Sequence, residues 1–134
     1  MASIWWEEPV GAPADLAWAA LRRVDLAHKL FAPVLIEGTM EGNVRTVTFA
    51  NGLVVRERII DIDESRRRVA YGVLDGAFDH HSASMQIMPI SDASCRFIWV
   101  SDFLPNDQIE AVRPLVEQGS RALAQNIESG KVLD

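Results

Sequence analysis

The sequence predicts an α+β protein in which a seven-stranded, curved antiparallel sheet wraps around one long C-terminal helix, with two short helices after the first strand. Three observations carry this prediction. Between Val34 and Phe103 six segments of strand character are separated by short turn signals, so they pair as an antiparallel meander. From Pro105 to Gly130 the period becomes helical, and a helix that long against such a sheet has to lie in its concave face. A chain of 134 residues holds one core and is too short for two ordinary domains, so residues 1–134 read as a single domain.

The elements follow in order. Residues 3–10 form the first strand, which closes at Pro9. "GAPADLAWAALRRV" then opens a helix: Pro13 suits the first turn, Asp15 suits the positive end of the dipole, and Leu16, Ala19 and Leu21 keep a helical period. "DLAHKLF" starts a second short helix at Asp25 that must stop before Pro33. The strands "VLIEGTM", "VRTVTFA", "VVRERIIDI", "RRVAYGVL", "HHSASMQIM" and "CRFIWVSDF" are divided by Gly42-Asn43, Asn51-Gly52, Asp63-Glu64-Ser65, Asp75-Gly76 and Ser91-Asp92. In the last helix Asn106 or Asp107 serves as cap, and Ile109, Val112, Val116, Leu123 and Ile127 lie along one stripe. Gly130 stops it, and Pro114 predicts a kink near Glu110.

Composition narrows the function. A net charge of −6 gives no field that attracts phosphate backbones, so nucleic acid is not an expected partner. No apolar run approaches the roughly 20 residues of a membrane span, and the N-terminal residues lack the pattern of a signal peptide, so a cytoplasmic protein is expected. Cys95 is the only cysteine and makes no internal disulfide. His80 and His81 are adjacent on a strand and point to opposite faces, and His28 stands at no ligand spacing, so neither a metal nor any other cofactor is expected. Cys95 with His81 lacks the third group and the oxyanion donors of a nucleophile pair. Trp5 and Trp6 also face opposite ways, so one can stay on the surface and mark a contact with a partner chain, such as a second copy in a homodimer. The run Arg66-Arg67-Arg68 beside Asp63 and Glu64 reads as a solvated turn.

The hairpin 43–64 poses the one sharp question. A two-residue turn at Asn51-Gly52 would put Arg45, Arg56 and Arg58 on one face with no acid. A three-residue loop, Asn51 to Leu53 with Gly52 left-handed, instead puts Arg45, Val47, Phe49, Val55, Glu57 and Ile59 on the inner face and sends Arg56 and Arg58 to water. Unpaired buried charge costs several kcal/mol, on the order of magnitude, so the second register is the expected one. It leaves Ile60 and Ile62 on the outer face. Alternation adds Val69, Tyr71 and Val73, then His81, Ala83, Met85 and Ile87, then Cys95, Phe97, Trp99, Ser101 and Phe103 to the inner surface.

The order of elements, with "APADLAWAAL", "EGNVRTVTFANG", "VRERIIDIDES", "RRVAYGV" and "CRFIWVSDFLP", resembles the helix-grip superfamily of START lipid-transfer and birch-pollen-allergen-like proteins. Within it the chain is most similar to the bacterial polyketide cyclase/dehydrase group. The resemblance implies a hydrophobic cavity between sheet and long helix that takes a small hydrophobic or aromatic, polyketide-like molecule, in a carrier or binding protein or else in a cyclase or dehydratase. It carries over little of two relatives: the inward lysine and gate proline of the abscisic-acid receptors are missing, and Lys29 and Lys131, the only lysines, fall on no inner strand where the alkaloid-forming relatives have theirs.

Candidate ligand-binding residues are the polar Arg45, Glu57, Tyr71 and His81 with the apolar Val47, Phe49, Met85, Phe97 and Trp99 of the sheet and Val112 and Val116 of the helix. Arg45 and Glu57 read either as a ligand anchor or as a structural pair bridging two strands. For proton transfer the candidates are Glu57, Tyr71 and His81. An interaction module built on the exposed tryptophan is the remaining alternative.

Overall fold

The computed structural model describes residues 2–132. Strand β1 (Ala2–Val10) leads to α1 (Ala14–Leu21), and a short 3-10 turn brings the chain into α2 (Ala27–Leu30). The meander follows as β2 (Leu35–Glu41), β3 (Val44–Phe49), β4 (Val54–Asp63), β5 (Arg68–Val73), β6 (His80–Ser91) and β7 (Ser94–Leu104). A 3-10 turn at Asn106–Gln108 opens α3 (Ile109–Glu128). The seven strands form one antiparallel sheet in the order β1-β7-β6-β5-β4-β3-β2, so the first strand closes on the last and β2 is the far edge.

Helix α3 lies over the inner face and packs on β1 and β7. Its second half is buried through Val116, Leu123 and Ile127, whereas Ile109, Val112 and Leu115 in its first turns are only half-buried. The main core gathers α1, α2 and the far half of α3 around Phe97, Ile87 and Leu123, and a smaller cluster of Ala2, Ile4, Phe103 and Val116 fills the other end. Asn126 fastens α3 to the end of α2: its amide donates to the carbonyls of Leu30 and Ala32 at 2.8 and 2.9 Å.

Several local expectations are corrected. Pro13 caps α1 from outside, its carbonyl accepting the Ala17 N–H at 3.1 Å, rather than standing in the first turn. Neither Asn106 nor Asp107 caps α3 with its side chain; both lie in the 3-10 turn that Pro105 precedes.

The hairpin has the inner face that charge burial demanded. Arg45 lies opposite Glu57 and Val47 opposite Val55, while Arg56 and Arg58 are exposed. Its loop, however, is residues 50–52, closed where the Phe49 N–H donates to the Leu53 carbonyl at 2.8 Å. That frame differs from a 51–53 loop by two residues in the pairing, which preserves every face; Gly52 does take the left-handed conformation, at φ 91°. A bulge at Ile60 then resets the alternation of β4. Ile60 and Ile62 both remain exposed, at 62% and 37%, although the bulge sets Ile62 opposite the buried Val69.

Candidate functional site

Between the sheet and the first turns of α3 lies a cavity of about 340 Å³. Its floor is the inner face of β3 to β7, its roof is Val112, Leu115, Val116 and Gly119 of α3, and Phe31, Val34 and Leu35 close one end. The rim is Leu53 and Val54 of the β3–β4 hairpin with the segment Asp75 to Phe78. The roof can come this close because Gly119 has no side chain: a Cβ there would stand 3.1 Å from the Trp99 ring.

Arg45 and Glu57 are 6% and 9% exposed, on neighbouring strands at the floor. The Arg45 Nε and Nη2 groups both donate to Glu57 Oε1, at 2.9 and 2.8 Å, and Nη1 donates to the Val24 carbonyl at 3.1 Å. Glu57 Oε2 accepts nothing from a described residue, and Glu57 lines the cavity. The guanidinium also lies over the Tyr71 ring, 5.6 Å from its centre.

Tyr71 accepts the indole N–H of Trp99 at 3.1 Å, and its own proton has no acceptor among the described residues. Burial, seconded by the negative charge of Glu57, pushes the phenol far above its ordinary value, so the hydroxyl stays protonated and serves as a donor. His81 accepts the Val73 N–H on Nδ1 at 3.1 Å, which leaves its one proton on Nε2, directed at Ser101 Oγ at 3.3 Å. Burial, together with nearby His80, lowers its pKa to about 4. With its only lone pair occupied and its cation disfavoured, His81 is a poor acid or base near neutral pH.

The structure therefore brings Arg45, Val47, Phe49, Glu57, Tyr71, His81, Met85, Trp99, Val112 and Val116 to the cavity wall. Phe97 is not among them. It is fully buried behind Phe31 and Trp99, whose ring centres are 6.5 and 6.0 Å away and whose own rings line the space. Sequence reasoning missed Phe31 and the rim. Phe78, an aromatic in the otherwise polar turn "DGAFD", was the one available signal; it packs 4.9 Å from His81. Of the two adjacent tryptophans, Trp5 is the outward one, 66% exposed. Among the described residues no helix is long and apolar enough to cross a membrane.

A curved sheet gripping a long helix over an apolar cavity defines a helix-grip domain. The chain belongs to the polyketide cyclase / dehydrase and lipid transport family, whose pattern matches residues 2–128. No curated protein matches it. Among solved structures it is similar to an uncharacterised protein of Bacillus thuringiensis, with a TM-score of 0.85 at 15% identity over 94% of this chain and 98% of that one. Norcoclaurine synthase from Thalictrum flavum, in complex with dopamine and hydroxybenzaldehyde, has a TM-score of 0.74 at 20% identity, covering 96% and 84%. The di-domain ARO/CYC protein BexL of the BE-7585A biosynthetic pathway has a TM-score of 0.81 at 17% identity, covering 96% of this chain and 47% of that one. At these identities the likeness is one of fold.

Proposed function

We propose that the protein binds a small, largely apolar or aromatic molecule in the cavity, as a carrier or binding protein. The observation that carries this reading is the cavity itself: about 340 Å³ of space walled by Val, Phe, Met and Trp side chains, with a few buried polar groups at its floor. That combination is the usual make-up of a small-molecule site, at the lower end of the common size range. The family, with its cyclases, dehydrases and lipid carriers, supports it. So does the compactness of the aromatic compounds held by the norcoclaurine synthase structure.

One observation favours a second reading, an enzyme of the cyclase or dehydratase type. Glu57 Oε2 is an unengaged carboxylate oxygen inside an apolar space, and since His81 and Tyr71 are ill-suited to exchange a proton near neutral pH, that chemistry would fall to Glu57.

Native mass spectrometry of gently purified protein, followed by a thermal-shift screen of phenols, aromatic acids, flavonoid-like compounds and short fatty acids, tests the binding reading. Co-purified mass, or a melting temperature that rises with ligand concentration and no longer does so in Val112→Trp, is the expected result. No bound mass and no shift with any compound counts against it. Once a ligand is found, Glu57→Gln separates the two readings: an enzyme loses turnover far more than affinity, and a carrier changes affinity alone.

A further inference from the structure

We infer that the cavity selects uncharged molecules bearing a hydroxyl or N–H group and turns away carboxylates; the inference rests on the binding reading above. Among the described residues Arg45 is the one cation on the wall, which carries two carboxylates, Glu57 and Asp75. The Arg45 charge is answered at 2.8 Å by Glu57, and a further N–H is engaged by the Val24 carbonyl. At the rim Asp75 is held by Arg56 through bonds of 2.7 and 2.8 Å. A carboxylate entering from water would thus give up its hydration without meeting an unpaired cation, and it would face the free oxygen of Glu57.

The floor offers two open valences of opposite sense. Glu57 Oε2 accepts, and a ligand hydroxyl or N–H that donates to it makes a charge-assisted bond. The Tyr71 hydroxyl donates, and the Trp99 N–H it accepts polarises its O–H outward, toward a ligand oxygen. Such a site rejects a molecule of the same outline that lacks the hydroxyl, because Glu57 Oε2 is then covered without a partner. The apparent anchor for an anion, Arg45, is instead the clamp that orients the carboxylate.

Three naphthalenes of one shape test this at pH 7 by isothermal titration calorimetry: 2-naphthol, 2-naphthoate and 2-methylnaphthalene. The wild-type protein should bind 2-naphthol about tenfold or more tighter than either of the others, the usual size of a hydrogen bond to a charged group. Glu57→Gln leaves the Arg45 charge unanswered, so the order should invert, with 2-naphthoate gaining about tenfold and 2-naphthol losing as much. Should the variant fail to fold, the wild-type ranking decides alone. If 2-naphthoate binds the wild type as tightly as 2-naphthol, charge selection is overturned while ligand binding stands. If none of the three binds, the binding reading falls and this inference with it.

Discussion

Arg45→Met and Glu57→Leu, made singly and together, separate what the buried pair does for the fold from what it does for a ligand. The two side chains are 2.8 Å apart and only 7% and 11% exposed. At an effective dielectric of about 20 the attraction across that gap is roughly 6 kcal/mol. Taking two ions out of water costs several kcal/mol each, so the net contribution of the pair to stability is close to zero. Either single substitution strands the remaining charge and should cost about 3–5 kcal/mol. Arg45→Met also leaves the Val24 carbonyl without its donor, about 1 kcal/mol more. The double variant strands neither charge and should lie within about 1–2 kcal/mol of wild type. Urea unfolding followed by tryptophan fluorescence, with m held common, measures all four. A double variant that loses the sum of the singles would refute the reasoning and make the pair a strand-bridging device. A double variant that folds well but no longer prefers hydroxylated ligands would place its value in binding.

Three further outcomes follow from particular contacts. His81 has a pKa of about 4 in the folded protein against about 6.5 unfolded, so between those values the unfolded chain holds a proton that the native one lacks, and stability falls as pH drops from 6.5 to 4. The loss is about 2 kcal/mol after screening at its partly exposed edge, and His81→Asn should flatten that slope in unfolding curves taken across the window. Asp63, held at about 2 by the Arg66 N–H and the Ser65 hydroxyl, adds its own loss only on further acidification. Asn126→Ala should cost about 2 kcal/mol by stripping donors from the Leu30 and Ala32 carbonyls, and Asn126→Asp more, because a carboxylate oxygen then faces carbonyl oxygens; chemical unfolding of both gives the ranking. Gly119→Val places a branched side chain where a single Cβ already meets Trp99 at 3.1 Å, so it should destabilise by about 1–3 kcal/mol and weaken ligand binding, read by unfolding and calorimetry; unchanged stability would mean that the roof gives way freely.

The parts of the fold legible in the sequence are those that local periodicity and charge dictate. The inner placement of Arg45 and Glu57 followed because any register that buried Arg56 and Arg58 left them without an acid, and the structure has those two exposed. The same parity rule cannot tell a 50–52 loop from a 51–53 loop, since both put every side chain on the same face. The bulge at Ile60, which sets Ile62 opposite Val69, had no glycine or proline to announce it. Phe97 and Trp99 share a face of β7, so alternation gives them equal standing; which one reaches the cavity depends on Phe31, brought in front of Phe97 from the α2–β2 connection. Depth within a core is set by side chains far away in sequence, and periodicity carries no such information.

The polar floor also bears on why the cavity exists. A void in a core forfeits dispersion contacts and lowers stability in proportion to its size, and larger residues at the wall could have filled it. The roof instead carries Gly119 against Trp99, and beneath the space the chain buries a guanidinium and a carboxylate whose second oxygen has no partner among the described residues. Neither feature serves a filled core, and a filled core would have no use for an unengaged Oε2. Both suit an occupant that restores the lost contacts and supplies the missing donor. On that reading stability and occupancy are linked: a molecule at a hundredfold its Kd adds about 2.7 kcal/mol, about as much as deprotonating His81 contributes, so ligand and acid should act as opposing levers on the same unfolding curve.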